Sequence, residues 1–572
     1  MLTSQLFSVV MGLSLRQVLT SIIGLSGVTY LIFKRYEPAN PLVVFTLLVA
    51  LPSFLSVLLA QHVTPFLLAP GITFATFYVS LISATVLYRL SPFHPLANYP
   101  GPLPCKLSMF WMTWVSKSGK RHIYLKKLHD KYGDIVRIGP NEVSIREASA
   151  INPLMGTTGL PKGPNWPGRA LHPAFSPLII IQSHDEHSRR RKPWNRAFST
   201  SSLKGYEPVI EKRARQLVEH LSEHKDEVVD LAQWISFFTF DFMGDMAFGG
   251  GYELMRDGDK DGLWKVVEDG LSLGIIFEHL PWLSRLVRGL PGVGEDTKRM
   301  RSMGIRRAEE RMKQGSTVKD LFYYLSNEDG SEKQSPPYAQ IVSDGTLAVI
   351  AGSDTTASAM CNIFFLLLKH PNVFKRLQDE VDKFYPHGED ALSTKHHHQM
   401  PFLDAVINEA LRFWPIIMSG SQRAPTRGSG GAALGPFFIP EGNQARIHFF
   451  SVLRDPRNFS PFPNSFWPDR WLIVDGLQDL STSPDTQGYT GEFIHNQAAF
   501  IPFSHGPYNC VGKNLALLEM KMVICHLLQN FDIRFDEKWN TDAWERDMLD
   551  VFVMKKGKLP VHIALRHPSA SL

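Results

Sequence analysis

Four cysteines serve 572 residues, and one of them, Cys510, lies in "FSHGPYNCVGKN" (503–514) between Gly506 and Gly512. Ser504, His505, Gly506, Pro507 and Asn509 favour a turn, and Leu515, Ala516, Leu517, Leu518 and Met520 then favour a helix. A thiol at a helix N-terminus meets unpaired N–H groups and the positive end of the dipole, which favour thiolate over thiol. Glycines on both sides permit close approach by something flat, and Phe503 can pack beside the sulfur. Such a group can be a nucleophile, a metal ligand or an inert buried thiol, and the loop alone leaves all three open.

Three further stretches carry chemistry-bearing residues. In "NEALR" (408–412), Glu409 and Arg412 stand three apart, so on a helix they share a face. In "AGSDTT" (351–356), Asp354 is followed by two threonines in the middle of a helical run, all poor choices for a helix interior, and Gly352 costs about 1 kcal/mol relative to alanine. A local defect of this kind marks a candidate functional site, and a threonine hydroxyl bonding back to a carbonyl loosens the helix. "DEHSRRRKPWNRAF" (185–198) is crowded with cations and by itself reads as a solvated basic helix. "HDEH" (184–187) lacks the i, i+4 histidine spacing of a helical zinc site, and "KHHHQ" (395–399) reads as a solvated loop.

The cysteine stretch resembles the haem-binding loop of the cytochrome P450 superfamily of haem-thiolate monooxygenases, whose pattern is Phe-x-x-Gly-x-Arg-x-Cys-x-Gly. Phe503, Gly506, Cys510 and Gly512 match; Tyr508 replaces the usual arginine or histidine. The resemblance implies haem b (iron protoporphyrin IX) with Cys510 as axial iron ligand, O2 as co-substrate, and electrons from NADPH through a cytochrome P450 reductase. It implies that Glu409 and Arg412 form a buried network with Arg470 of "FWPDRW" (466–471) that braces the loop. Asp354 and Thr355 would guide protons, through water, toward dioxygen. His187, Arg191 and Arg423 ("SQRAP") would offset the two haem propionates despite Tyr508. The implied reaction inserts one oxygen atom into a lipophilic small molecule by hydroxylation or epoxidation, a terpenoid or other secondary metabolite by analogy with fungal members. Two alternatives stay open: a haem-thiolate isomerase or dehydratase, and a non-enzymatic membrane haem protein. The Asp354–Thr355 pair argues against both. Expected substrate walls are the 160–180 loop, Leu347 and Ala348, 416–418 and 551–553, with core packing as the competing reading of each.

These residues need a scaffold. The spacing predicts helices over 120–132, 206–220, 229–246, 262–277, 338–369, 373–384, 402–414 and 515–530, with a β-hairpin over 134–145. The fold class is therefore mainly α with small β-sheets, preceded by transmembrane helices. From Pro38 to Tyr88 the chain has no Lys, Arg, Asp or Glu; with 17–33 it offers three spans, 17–33, 42–60 and 66–88, near the roughly 20 residues a bilayer needs. Lys34, Arg35, Arg89 and Lys106 put everything after 89 in the cytosol by the positive-inside rule. No membrane-length span is expected after 89, and Asn458 of "NFS" should stay unglycosylated. The expected organisation is 1–90 membrane anchor, 91–104 proline-rich linker and 105–572 haem-binding monooxygenase domain on the endoplasmic reticulum membrane. A net charge of +5 without a basic stripe excludes nucleic acid as partner. Four scattered cysteines fit a reducing compartment.

Overall fold

Helices dominate because apolar positions recur at helical spacing and proline or glycine punctuates most of their ends. A computed structural model describes residues 12–567 other than 170–175, 226, 251, 261, 288–289 and 316–317. Part of the expected 160–180 wall thus lies outside the described residues.

Leu15–Tyr36 opens with a capping box, Ser14 and Gln17 each bonding the other's backbone N–H. Together with Pro41–Ala60 and Leu68–Leu90 it forms an apolar bundle whose helices are long and apolar enough to cross a membrane, and little of each is covered by protein. A fourth helix, Tyr338–Lys369, also meets that measure, contrary to expectation, but 72% of its window is buried inside the fold. Its apolarity serves the protein core. The proline-rich 91–104 segment is docked onto the body. Leu96 is fully buried, Arg137 N–H donates to Pro100 O (2.7 Å), and the Tyr99 hydroxyl donates to Phe438 O (2.6 Å).

The centre is Tyr338–Lys369 packed along Leu231–Phe248. Two glycines set that approach. A Cβ on Gly345 would stand 2.8 Å from the Phe248 ring, and one on Gly352 2.6 Å from Met243 Cε. The helix defect at Gly352 therefore has a packing cause as well as a place beside Asp354.

The hairpin strands Ile135–Gly139 and Glu142–Ile145 pair antiparallel (Ile135↔Ile145), and the second runs parallel to Gln444–Ile447. A second sheet joins Val228–Asp230, Pro560–Leu565 and Phe531–Phe535. Residues 229 and 230, expected as helix, are strand here, because Val229 pairs with Val561 near the other end of the chain; the helix starts at Leu231 behind the Asp230 cap. A buried ionic cluster draws distant segments together. Arg121 reaches Glu278 (3.0 Å) and Asp550 (3.1 Å), and Arg446 reaches Glu278 (2.9 Å) and Glu142 (2.7 Å). It fixes the Leu549–Val551/Val553–Lys555 hairpin against the centre of the molecule.

Candidate functional site

The cysteine loop owes its shape to two residues in the left-handed region, Ser504 (φ 64°) and Gly506 (φ 70°). Only glycine fits at 506, since a Cβ would lie 2.0 Å from Met155 O. The turn closes with Cys510 N–H donating to Phe503 O (2.9 Å), and Lys513–Asn530 follows with Gly512 as its N-cap. At Gly512, by contrast, a Cβ would make only ordinary contacts, the nearest at 3.7 Å. Cys510 keeps accessible surface although protein atoms crowd around it. Burial pushes the thiol above its ordinary value, against the N–H groups of Gly512 and Lys513 and the charge of Arg191. The helix terminus does pull toward thiolate, and burial pulls the other way. A bonded metal ion would deprotonate the thiol outright.

Glu409, Arg412 and Arg470 meet as expected, all fully buried. Arg412 forks onto both Glu409 oxygens (2.9 and 2.7 Å), and Arg470 Nε donates to Oε1 (3.2 Å). The remaining guanidinium hydrogens of Arg412 go to the carbonyls of Leu453, Pro463 and Ser465, so the network pins the loop before Phe466. Its route to the cysteine loop passes through a residue that sequence reasoning did not single out. Trp471 Nε1 donates to Glu409 Oε2 (3.1 Å), and the Trp471 ring packs edge-on against Phe500 (4.5 Å), just upstream of Phe503.

On the long helix, Ala351 is exposed and Thr355 part-exposed although both flanks are core. The Thr355 hydroxyl donates to Ala351 O (2.6 Å), and Asp354 pairs with the buried Lys556 (3.4 Å). Among the expected walls, Ala348, Met418, Val551 and Val553 are core residues. Leu347, Ile417 and Phe552 keep accessible surface. Phe552, at φ 85°, holds its ring edge-on to Trp166 (5.5 Å) and under the Arg169 guanidinium (3.9 Å).

The basic stretch forms His184–Ala197, and successive arginines point in different directions around it. Arg189 pairs with Glu186 at the surface, Arg190 with buried Asp344 (2.8 Å), and Arg196 with Asp329 (2.7 Å). Arg191 donates to the carbonyl (2.6 Å) and the side-chain oxygen (2.7 Å) of Asn509, clamping the cysteine loop. His187 is buried, its ring 4.4 Å from that of Tyr508. Burial, then Lys162, Arg191 and Arg423, pull its pKa down to about 3, so it is neutral near pH 7. Arg423 is 1% exposed, lies 4.5 Å over the Tyr508 ring, and has Nε and Nη1 buried without a partner. Lys162, which no spacing in "LPKGPNWPG" singles out, sits 5.0 Å from the same ring. A set of cations beside a cysteine loop, Lys162 and Arg423 buried and Arg191 part-exposed, with no ion pair to any of the three among the described residues, fits a group that is both thiolate-ligated and doubly anionic, as haem is.

The Asn458 side chain is buried and bonded to Val452 O (3.0 Å) and Asn496, so the folded protein does not present it as an acceptor.

A family model described as Cytochrome P450 matches residues 98–561. The chain is 30% identical over 493 residues to Cytochrome P450 monooxygenase phqL of Penicillium fellutanum, covering 85% of this chain and 82% of that one. It is 32% identical over 550 residues to Cytochrome P450 67 of Uromyces fabae (93% and 96%). It is 28% identical over 533 residues to Tryprostatin B 6-hydroxylase of Neosartorya fischeri (90% and 91%).

Proposed function

This chain belongs to the cytochrome P450 family, and on that footing we propose that it is a membrane-anchored monooxygenase that hydroxylates or epoxidises a lipophilic secondary metabolite. Its activity class is that of its relatives, several of which are named cytochrome P450 monooxygenases. The observation that carries the reading is the accessible Cys510 just before Lys513–Asn530, beside buried cations that lack a counter-charge among the described residues.

Cys510 would hold haem iron, and Arg423 with its neighbours would hold the propionates; the haem supplies O2 activation and electron transfer. The chain's own residues do the rest. Arg191 fixes Asn509 and so the height of the sulfur. The Glu409 network, through Trp471 and Phe500, keeps the loop from opening. Thr355, having directed its hydrogen to Ala351 O, keeps oxygen lone pairs able to accept from a water. Asp354, held by Lys556, can pass a proton toward that water. This pair favours O2 chemistry over the isomerase reading.

The substrate class rests on three supports: the apolar accessible surfaces at Leu347, Ile417 and Phe552, the apolar N-terminal helices, and relatives that include a named 6-hydroxylase. The charge asymmetry around the N-terminal helices supports a cytosolic catalytic body on the endoplasmic reticulum, served there by an NADPH-dependent reductase.

The test is co-expression with such a reductase and incubation with a lipophilic metabolite extract under labelled O2. One labelled oxygen atom gained by a product is expected. Reduced, CO-treated protein should show the red-shifted Soret band of a thiolate-ligated haem, and Cys510→Ser should abolish it. A band unchanged in Cys510→Ser rejects the reading.

A further inference from the structure

Residues 161–163 lie beside 422–424 as an added antiparallel pair. Gly163 N–H donates to Gln422 O (3.0 Å), Ala424 N–H donates to Pro161 O (3.1 Å), and Lys162 stands directly opposite Arg423. Arg423 in turn pairs with Ala445, which extends the hairpin sheet. Opposite residues of an antiparallel pair send their side chains to the same face, about 5 Å apart. Like charges there repel, and here both are buried: Lys162 is 6% exposed and Arg423 1%.

Neither cation is satisfied by protein. Lys162 donates one hydrogen, to Ile179 O (2.6 Å), leaving two of its three without an acceptor among the described residues. Arg423 leaves Nε and Nη1 without one. Burial first, and then the charges of Arg423 and Arg191, pull the pKa of Lys162 well down. An unpaired buried charge costs several kcal/mol, so a fold that keeps two side by side is built to receive an anion.

The place of that anion follows from Tyr508. Its ring is the floor on which both cations rest, Arg423 at 4.5 Å and Lys162 at 5.0 Å, two residues before Cys510. The hydroxyl points away, toward Gln182 O (3.3 Å). Tyrosine at 508 therefore contributes a face for cations and no charge of its own. We propose that Lys162 binds a haem propionate, supplying from the 161–163 segment the positive charge that the cysteine loop lacks at Tyr508. The proposal rests on the haem-thiolate reading above. The ligand chemistry is a carboxylate, and a substrate carboxylate is the other possible source.

The test uses full-length, haem-loaded protein. Lys162→Gln keeps a donor for Ile179 O and removes only the charge. Transfer of haem to excess apomyoglobin should be about tenfold faster in this variant, the effect expected for one lost charge-assisted bond. The haem reduction potential should move negative, because a cation near the ring favours the reduced state, and Lys162→Arg should restore both properties. Tyr508→Arg gives a sign test. Alone it crowds a third cation beside Lys162 and Arg423 and should speed haem loss; combined with Lys162→Gln it should slow haem loss relative to Lys162→Gln.

Haem loss and potential unchanged in Lys162→Gln overturn the proposal. So does a variant that changes only substrate KM, which would assign the cation to a substrate carboxylate. In either case a wild-type thiolate spectrum that vanishes in Cys510→Ser leaves the family function standing. Should Lys162→Gln not accumulate, the propionate bending bands of wild type and Lys162→Arg in resonance Raman decide it: bands identical in both overturn the assignment.

Discussion

Thr355 illustrates how much a single hydroxyl can be asked to do. Its hydrogen is committed to Ala351 O, so the oxygen faces outward as an acceptor on the accessible stripe of an otherwise buried helix. A water accepted there is oriented with a hydrogen to give, and Asp354 one residue earlier can replace that hydrogen. The Lys556 contact, 3.4 Å from Asp354, holds the carboxylate ready without saturating it. Thr355→Ala should therefore leave haem content and reductant consumption nearly intact while product formation falls by about a hundredfold, the low end of the range for a lost proton-transfer group. The missing electrons should appear as hydrogen peroxide, and Thr355→Ser should recover most of the coupling. Product and peroxide measured per reductant consumed decide it; unchanged coupling in Thr355→Ala would make the residue merely structural.

At the scale of elements, the long helix and its partner meet through two glycines whose neighbours differ in stiffness. Gly345 faces the flat ring of Phe248, and Gly352 faces the flexible chain of Met243. Alanine gains about 1 kcal/mol of helix propensity at either position. At 345 the ring must be displaced, an overpacking that costs about 1–3 kcal/mol. At 352 the methionine can change rotamer. Gly345→Ala should lower the thermal midpoint for loss of the haem band, and Gly352→Ala should leave it level or raise it; equal shifts would refute the packing account. The same contrast explains what was legible in the sequence. The cysteine loop was, because turn residues and glycines within ten positions dictate it. The Glu409–Arg412 pair was, because three-residue spacing is local. The Lys162–Arg423 pairing was not, since it joins segments some 260 positions apart, and neither was the strand at 228–230, whose partner begins at Pro560. The lowered pKa of His187 also escaped, because it depends on burial first and then on cations brought in from three different segments.

At the scale of the whole molecule, apolar surface continues from the N-terminal helices onto the body that follows them. The last N-terminal helix ends at Leu90, and Arg89 donates to Leu107 O, tying its end to Leu103–Leu107. Met109–Lys117 follows directly and presents Phe110, Trp111 and Trp114 outward, Trp114 at 71% exposure. Pro104, Leu107 and these three rings border an apolar recess of about 410 Å³. In water such a patch would invite aggregation. At the end of a helix long and apolar enough to cross a membrane, it would lie where tryptophan rings are at home, between hydrocarbon and headgroups. The docked 91–104 segment gives the catalytic body no slack to swing this patch away. The body should therefore rest on the bilayer by a second contact as well as hang from its anchor. A nitroxide attached at Trp114→Cys, in full-length protein reconstituted into vesicles, should relax with lipid-soluble oxygen in preference to a water-soluble nickel chelate. A label at the exposed Glu223→Cys, at the end of Thr200–Glu223, should show the reverse. If both labels respond like the aqueous one, the aromatic patch faces water and the body is held by the N-terminal helices alone; the lipid signature at 114 would mean that Leu103–Lys117 sets the height at which a lipophilic substrate meets the protein.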